Sequence, residues 1–403
     1  MPFLKSLRFD GLLSFPPGSE AIELTPLNVL IGPNGSGKSN LIEGVELLHS
    51  LPIGFASAIR DGGGVREWHW NGHYSRGTVG LGACVDLNFD MPPLGLRKYL
   101  TDIRYRLAFT ASGQRVEVTD EAIENAEKTD KAARDVFFYY RFQSGNPVIN
   151  VSEPLGGKRS ERHLERQSLT PDESVLSQRK DPVSYPELTD LGTQLARIQS
   201  FREWSFGRYS QLRQPQPADL PSDAMLPDAR NLGLVLNQLE HSGAWSEFNR
   251  YLSRFLPRFQ RFSTLIAGGT VQFFLHEDRV IKPIPATRLS DGTIRFMAIL
   301  AQLLSPSPPP LICMEEPELG LHPDAIVLLA DLLQEASKRT QLIVTTHSDA
   351  LVSALTEVAD SVLVCEYRNG TICQRIDSSK LRFWLDKYRL GEIWRIGEIG
   401  GNL

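Results

Sequence analysis

The stretch Gly32-Pro33-Asn34-Gly35-Ser36-Gly37-Lys38-Ser39 matches the phosphate-loop pattern G-x-x-x-x-G-K-[ST] at every fixed position. The apolar run Leu27–Ile31 before it predicts a buried strand, and apolar residues recur at helical spacing after it. A strand before the loop and a helix after it are the context that this motif requires. We therefore expect a nucleotide-binding site here, and not a solvated glycine-rich turn.

The residues of this loop predict how a nucleoside triphosphate is held. Glycines let successive backbone N–H groups point at phosphate oxygens, and the positive end of the following helix adds to that field. We expect Lys38 to reach the β- and γ-phosphates of the nucleotide and to support catalysis, and the Ser39 hydroxyl to bind Mg²⁺. The predicted nucleotide-binding residues in this stretch are Asn34, Gly35, Ser36, Gly37, Lys38, Ser39 and Asn40.

Composition sets broad limits on the class of protein. The 403 residues allow two or three domains, and 41% hydrophobic residues is enough for a buried core. A formal net charge of -5 argues against a surface covered in positive charge, although a local basic patch is compatible with it. The four cysteines show no C-x-x-C spacing, so we expect neither zinc nor disulfides. No long apolar run is visible, so we expect no signal peptide, no membrane association and a cytoplasmic location.

The N-terminal part of the chain carries strand patterns and one glycine-broken segment. Alternating apolar and polar residues predict strands near Phe3–Phe9, Thr78–Asp90 and Asp102–Thr110. The segment from residue 60 to 70 carries two arginines and two tryptophans. Two interpretations stay open for it: a lid that brings Arg60 or Arg66 to the phosphates, or a surface turn whose tryptophans pack on the domain.

The character of the chain changes between residues 111 and 261. We expect a helix over the acidic run Asp120–Asp135, a strand over Val136–Phe142, and an amphipathic pair of helices between Leu232 and Phe255. No heptad pattern is sustained, so we expect no long coiled coil. The predicted organisation is the first half of the nucleotide-binding domain at 1–110, an inserted mixed or helical, α-rich subdomain at 111–261, and the second half at 262–403.

A second candidate phosphate contact lies in Leu289-Ser290-Asp291-Gly292-Thr293, where the apolar spacing predicts that a helix begins. Ser290 suits the N-cap position of that helix. Because a helix N-terminus also attracts anions, a plain cap and a phosphate contact both fit these residues.

Carboxylates follow a short apolar strand further along the chain. Residues 311–314 predict a buried strand that ends in Glu315 and Glu316, where a phosphate-loop protein holds Mg²⁺. Glu315 suits a metal contact, and Glu316 suits orientation and partial deprotonation of the attacking water. An acidic surface turn is the alternative. A further predicted strand over 342–346 ends at His347, which we expect at the same sheet edge, close to the γ-phosphate or the water.

In this order, the motifs GPNGSGKS, LSDGT, LICMEEPELGLHP and VTTHS resemble those of ABC-type ATPase heads of the SMC and RecF-like superfamily. More narrowly they resemble compact bacterial ATPases of the AAA_21 type, several of which belong to anti-phage defence systems. The resemblance covers residues 1–110 and 262–403. It implies an α/β P-loop fold with a mixed sheet flanked by helices.

The resemblance also implies a homodimer that holds ATP between its two subunits. Ser290 and Gly292 would contact the γ-phosphate of ATP bound to the other copy. Glu315 would occupy the metal position, Glu316 the catalytic position and His347 the position of the switch histidine.

Two departures from the family pattern affect the expected chemistry. The metal position usually carries Asp, and Glu315 is one methylene longer, so we expect slow turnover. No residue is assigned to the glutamine that most such heads use beside the metal, and Gln143 in the insertion is the nearest candidate.

The resemblance further implies that the loop Leu319 to Asp324 contacts the other subunit.

Together the motifs and the resemblance imply a dimeric ATPase that hydrolyses ATP. The leading hypothesis is a sensor or regulator in a DNA-related or anti-phage system that acts with a separate effector protein, with DNA as a possible partner. A scaffold gated by ATP, with incidental hydrolysis, is the alternative. A DNA-repair or recombination ATPase is a third hypothesis, which the mild acidity and the missing coiled coil disfavour.

Overall fold

A computed structural model describes most of the chain as two compact units. The first unit is formed by Met1–Gln199 and Leu363–Arg375, and the second by Ser200–Val362 and Ile376–Asn402. The described residues are 2–70, 72, 78–89, 99–129, 132, 134–152, 159–202 and 204–401. Within these ranges, no helix is both long and apolar enough to cross a bilayer.

The regular elements of the described residues are strands and helices. The strands are β1 (Leu4–Asp10), β2 (Ile22–Glu23), β3 (Leu27–Ile31), β4 (Val79–Val85), β5 (Ile103–Ser112), β6 (Arg115–Asn125), β7 (Phe138–Gln143), β8 (Asn146–Val151), β9 (Ser160–His163), β10 (Gln199–Phe201), β11 (Gln216–Pro217), β12 (Phe259–Ala267), β13 (Thr270–Glu277), β14 (Ile284–Pro285), β15 (Leu311–Glu315), β16 (Gln341–Thr345), β17 (Val362–Tyr367) and β18 (Thr371–Arg375). The helices are α1 (Lys38–Ser50), α2 (Phe55–Asp61), α3 (Val175–Gln178), α4 (Pro186–Ala196), α5 (Leu232–Glu240), α6 (Trp245–Phe255), α7 (Asp291–Leu303), α8 (Pro323–Ala336), α9 (Asp349–Ala354), α10 (Ser378–Leu385) and α11 (Leu390–Arg395).

An eight-stranded antiparallel sheet forms most of the first unit. Its strand order is β2-β1-β4-β5-β6-β7-β8-β9. Along β5 the side chains of Tyr105, Leu107 and Phe109 are buried, whereas Arg104 and Arg106 are exposed. This alternation has the two-residue period of a strand that packs one face on a core, and the strands expected near residues 3–9, 78–90 and 102–110 are confirmed.

The helix expected over Asp120–Asp135 is wrong. Residues 120–125 instead form the end of β6, which pairs with β5 on one side and with β7 on the other, and residues 130, 131 and 133 of the expected helix lie outside the described residues. Buried Val116 and Val118 alternate with polar residues at its start, and pairing on both edges outweighs the helix propensity of the glutamates. The strand expected over residues 136–142 and the helix pair expected between residues 232 and 255 are confirmed as β7, α5 and α6.

A second group of strands in the first unit leads into the phosphate loop. β3 is buried along its whole length and has β17 as a neighbour, and β17 forms a hairpin with β18. Asn369 and Gly370 make the hairpin turn, with φ values of 55° and 137°. The chain thus passes from the carboxyl end of β3 directly into the phosphate loop at Gly32.

The glycine-broken segment after α2 is fastened to the first unit by a tryptophan. Trp68 is 3% exposed, and its indole N–H donates to the carbonyl oxygen of Ile59 at 3.2 Å. A Cβ at Gly62 would lie 2.7 Å from the Trp68 ring. Arg60 and Arg66 are exposed. Trp68 therefore packs as the surface-turn interpretation expects, and the lid interpretation for Arg60 or Arg66 stays a prediction.

Parallel pairing in the second unit brings two strand ends to one edge. β15 and β16 pair in register from Leu311 opposite Gln341 to Glu315 opposite Thr345. Residues that follow these two strands therefore meet at the same edge, as the sequence predicted. Strands β11, β12, β13 and β14 form a separate antiparallel sheet. The longest helix in the described ranges is α8, with 14 residues, so no long coiled coil is present there.

Candidate nucleotide-binding and hydrolysis site

The predicted site residues fall into two groups. The phosphate loop lies in the first unit, and Ser290, Gly292, Glu315, Glu316 and His347 lie in the second.

The phosphate loop has the backbone conformation that its glycines allow. Gly32, Gly35 and Gly37 have φ values of 144°, 77° and 96°, which L-residues with a side chain rarely adopt. A Cβ at Gly32 would lie 2.2 Å from the carbonyl oxygen of Cys365 in β17. Glycine is therefore required at position 32 for close packing, independently of any ligand.

The loop also carries a buried polar group without a partner. Ser36 is 1% exposed, and its hydroxyl has no hydrogen-bond partner. A buried hydroxyl left unpaired costs free energy, so such a group is typical of a site that a ligand completes. Asn34, Gly35 and Ser39 are exposed and Asn40 is half-buried. These residues fit a phosphate cradle.

The Lys38 side chain hydrogen-bonds to the phosphate loop itself. Its ammonium donates to the carbonyl oxygens of Gly32 at 2.7 Å and Pro33 at 2.9 Å, and the residue is 6% exposed. Phosphate oxygens are stronger acceptors than these neutral carbonyls because they carry charge. The lysine therefore has a better partner available as soon as a phosphate enters the loop.

Thr371, at the start of β18, contacts the phosphate loop, and no sequence motif marked it. Its hydroxyl lies 3.0 Å from the carbonyl oxygen of Ser36 and 2.6 Å from the Ser14 hydroxyl. A Cβ at Gly37 would lie 2.0 Å from the Thr371 hydroxyl. The contact joins residues more than 330 positions apart, so a local pattern gave no signal for it.

In the second unit, the stretch of residues 289–293, which we call the signature stretch, begins α7 as expected, and α7 is called the signature helix. Ser290 is the N-cap of α7, and its hydroxyl accepts a hydrogen bond from Thr293 N at 3.1 Å. A Cβ at Gly292 would lie 2.8 Å from the carbonyl oxygen of Gly320. The signature helix and the loop that follows the acidic motif therefore pack directly against each other.

Glu316 stands at the carboxyl end of β15 in an unusual backbone conformation. Its φ is 44°, in the left-handed region, where a residue with a Cβ is destabilised by about 1 kcal/mol or more. Its N–H donates to the carbonyl oxygen of Thr345 at 3.0 Å. Left-handed non-glycine residues that surrounding contacts hold in place are concentrated at functional sites.

The Glu316 side chain lies beside the predicted histidine at the end of β16. The Glu316 carboxylate lies 3.6 Å from His347 Nε2. Both side chains are about one-third exposed, at 33% and 37%, so a ligand or a water molecule can reach them. The structure thus brings together the two residues that the sequence assigned to the attacking water.

Arg295 is a site residue that the sequence did not indicate. It lies on α7, little more than one helical turn after Ser290, and its Nη1 donates to the carbonyl oxygen of Glu316 at 3.2 Å. Its guanidinium also stacks on the Phe206 ring, 4.9 Å from the centroid. Burial lowers the pKa of Arg295, and the nearby carboxylates of Glu318 and Glu316 oppose that shift.

Glu318 joins the acidic motif to the strand end that carries the histidine. It is 8% exposed, and its carboxylate accepts hydrogen bonds from the Thr346 hydroxyl and from His347 N. Burial raises the pKa of Glu318, although both hydrogen bonds oppose the shift. Its second oxygen is buried without a hydrogen-bond partner. Glu318 therefore positions the backbone around His347.

Glu315 faces an arginine in the same unit. Arg202 Nε lies 3.4 Å from Glu315 Oε1, close enough for an ion pair. That oxygen is buried and has no hydrogen-bond partner of good geometry. Carboxylate oxygens are ligands that Mg²⁺ prefers, so Glu315 could hold the ion once Arg202 releases this oxygen. The residues Arg202, Arg295 and Glu315 also line a cavity of about 400 Å³.

Gln143, the candidate for the metal-side glutamine, ends β7 in the antiparallel sheet of the first unit. It is exposed and lies opposite Asn146 in the register of β7 with β8. These contacts are those of a hairpin end, and they give Gln143 no link to a metal site.

The comparison with known proteins decides the family. The AAA_21 family, described as "AAA domain, putative AbiEii toxin, Type IV TA system", matches residues 27–353. The chain belongs to the AAA_21 family. A curated relative of this AAA_21 protein, the Old nuclease of Escherichia phage P2, is 33% identical to it over 130 residues. That match covers 29% of the chain and 22% of the nuclease, so the two share a segment and not their whole length.

Solved structures show the same fold. A crystal structure of the SMC head bound to the C-winged helix domain of ScpA has a TM-score of 0.58 at 15% identity, covering 94% of this chain and 99% of that one. An SMC head with an extended coiled coil from Pyrococcus furiosus, bound to the C-terminal domain of ScpA, has a TM-score of 0.58 at 14% identity, covering 96% and 99%. The predicted ABC/SMC-like ATPase head is therefore confirmed as the fold of this AAA_21 protein.

Proposed function

We propose that this AAA_21 protein is a homodimeric switch that binds ATP between two copies and hydrolyses it slowly. The observation that carries this proposal is the left-handed backbone of Glu316, held by Thr345 and Arg295, with its carboxylate beside His347. A strained conformation held from both sides is expected where a carboxylate must be aimed at a reacting water.

The proposed chemistry assigns one task to each group. Lys38 leaves the loop carbonyls and contacts the β- and γ-phosphates, with residues 34–40 cradling them. Ser39 and Glu315 are the residues that would hold Mg²⁺, which neutralises phosphate charge when bound. Glu316 accepts the proton of the attacking water, and His347 donates a hydrogen bond to the γ-phosphate or to that water.

In the proposed dimer, the signature helix serves the ATP of the other copy. A helix N-terminus carries N–H groups without intrahelical partners and a partial positive charge, so the N-terminus of α7 favours an anion. Ser290 and Gly292 would contact the γ-phosphate there, and the loop of residues 319–324 would contact the other subunit. Leu319 in that loop is 51% exposed, which leaves an apolar side chain available for such a contact.

The proposed biological role is a sensor or regulator in anti-phage defence that acts through a separate effector, in the cytoplasm and with DNA as a possible ligand. Support comes from the family description, which names a toxin of a type IV toxin–antitoxin system, and from the segment shared with a phage nuclease. Both statements concern those proteins, and the role of this chain is proposed by analogy.

A scaffold gated by ATP, with incidental hydrolysis, is the second candidate. The ion pair of Arg202 with Glu315 favours it, because a cation on the metal-binding carboxylate competes with Mg²⁺. Mg²⁺ binding then requires displacement of Arg202, which slows each turnover.

Steady-state ATPase measurements with and without DNA, run beside light scattering, separate the two candidates. The switch predicts measurable turnover that Lys38→Ala abolishes, together with ATP-dependent dimers. Dimers that form with ATP while turnover is negligible under every condition would establish the scaffold. A protein that stays monomeric in the presence of ATP and still hydrolyses it would contradict both candidate functions.

A further inference from the structure

Arg213 is a buried arginine that the proposed chemistry leaves unused. It is 4% exposed and lies in the second unit. Its Nη1 donates to the carbonyl oxygens of Ala286 at 3.0 Å and Leu289 at 2.6 Å, and its Nε donates to Phe206 O at 2.8 Å. Its Nη2 pairs with the carboxylate of Asp291.

Three of these four partners flank the signature serine. Residues 286–289 form the turn that leads into Ser290, and Asp291 is the first residue of α7. A charged group is buried at high cost unless it is paired and hydrogen-bonded. Here the guanidinium meets that requirement with backbone carbonyls of the turn, so it fixes the direction in which the chain enters α7.

The pairing with Asp291 has an electrostatic consequence. A helix N-terminus attracts either a side-chain carboxylate or a phosphate, because both are anions. Asp291 occupies the first turn of α7, so an unpaired carboxylate there repels an incoming phosphate. Arg213 supplies the opposite charge within hydrogen-bond distance, although the Asp291 side chain itself is 65% exposed.

We infer that Arg213 is a positioning residue for the ATP-dependent dimer. It holds the turn that presents Ser290, and it neutralises Asp291 so that the N-terminus of α7 can receive a phosphate from ATP bound to the other copy. This inference rests on the proposed function, in which α7 acts across the dimer.

Arg213→Met tests this role, and Arg339→Met is its matched control. Arg339 donates to the carbonyl oxygens of Leu303 at 2.6 Å and Ser305 at 3.1 Å, at the far end of the same helix. Both variants remove an arginine that donates to backbone carbonyl oxygens at one end of α7. The readouts are the affinity of the monomer for ATP and the concentration at which ATP drives dimerisation, by sedimentation of the full chain.

We expect Arg213→Met to weaken ATP-dependent dimerisation by about tenfold or more, since it removes hydrogen bonds from a charged donor. Monomer affinity for ATP stays at the wild-type value, because the phosphate loop is untouched. Arg339→Met lowers the melting temperature but leaves dimerisation unchanged. Arg213→Lys keeps the charge but lacks the planar set of guanidinium donors, so its ATP-dependent dimerisation is intermediate between that of Arg213→Met and that of the wild type.

A second substitution separates neutralisation from simple packing. Adding Asp291→Asn to Arg213→Met removes the unpaired carboxylate, so dimerisation recovers by several-fold, although the packing loss remains. If Arg213→Met is folded and dimerises with ATP as well as the wild type does, while Ser290→Arg does not dimerise, the inference about Arg213 is overturned and the proposed function stands. Lack of recovery in the double variant would overturn the neutralising role. Wild-type protein that never dimerises with ATP would overturn the proposed function itself.

Discussion

Replacement of Arg295 by methionine tests whether the conformation of Glu316 controls hydrolysis. The substitution keeps an unbranched apolar stem beside Phe206 and removes the guanidinium that donates to the Glu316 carbonyl oxygen at 3.2 Å. The lost hydrogen bond comes from a charged donor, which is worth about 1.5–3 kcal/mol. The left-handed φ of 44° adds a tendency of about 1–2 kcal/mol to relax away from the observed backbone.

The lost stabilisation of Glu316 predicts how far kcat falls in Arg295→Met. If the lost stabilisation lets Glu316 leave its position, kcat falls by about ten- to a hundred-fold, because each 1.4 kcal/mol is a factor of ten. Affinity for ATP is unchanged, since Lys38 and its loop lie elsewhere in the sequence and in the first unit. The expected signature is a loss in kcat without a loss in nucleotide binding.

The assay is steady-state hydrolysis paired with equilibrium binding of a fluorescent ATP analogue, with thermal unfolding as a check on folding. A double-variant cycle gives the sharper result. In a Glu316→Gln background, Arg295→Met should add little further loss, because the group that it positions no longer accepts a proton. Wild-type kcat in Arg295→Met, or losses that simply multiply in the double variant, would refute the positioning role.

Three further predictions follow from the site and from the core. Lys38→Ala abolishes nucleotide binding, because it removes the fixed positive charge of the loop; wild-type affinity for ATP by calorimetry would contradict the site assignment. Ser290→Arg leaves ATP binding to the monomer intact and blocks the ATP-dependent dimer, since bulk and positive charge enter the proposed interface; an undiminished dimer in light scattering would contradict the proposed geometry. Burial raises the pKa of Glu121 to about 7, so the folded protein binds this proton more tightly than the unfolded chain does. The resulting stabilisation is present at low pH and is lost as the pH rises from about 4.5 to about 7, by about 3 kcal/mol in unfolding free energy relative to Glu121→Gln. Urea denaturation at several pH values measures it, and a pH-independent difference between the two proteins would show that the carboxyl titrates normally.

The parts of the fold that were predicted correctly depend on local patterns. The phosphate loop, the cap at Ser290 and the two parallel strand ends were visible because each motif is contiguous and follows a buried strand or begins a helix. The β17–β18 turn is local in the same way, since the backbone preference of Asn369-Gly370 is nearly independent of context.

The errors and omissions have a common physical origin in contacts between residues distant in sequence. The acidic run around Glu121 looks helical on its own, and only pairing with strands on both edges makes it β6. Arg295, Glu318 and Thr371 act through single hydrogen bonds to the predicted residues, so no spacing rule marks them. The domain boundaries at 110 and 261 and the assignment of each site residue to ATP stay predictions.

The central claim is that Glu316, and not Glu315, is the base that activates water. Its most direct test is the lifetime of the ATP-bound dimer in Glu316→Gln and Glu315→Gln, with the bound nucleotide identified by chromatography after denaturation. Gln at position 316 still hydrogen-bonds a water but accepts no proton, so hydrolysis falls by about a hundred- to ten-thousand-fold and a stable dimer retains intact ATP. Glu315→Gln should instead raise the Mg²⁺ concentration required for hydrolysis, because it weakens the charge on the metal. A trapped ATP dimer in Glu315→Gln together with a metal defect in Glu316→Gln would contradict the account and exchange the two roles.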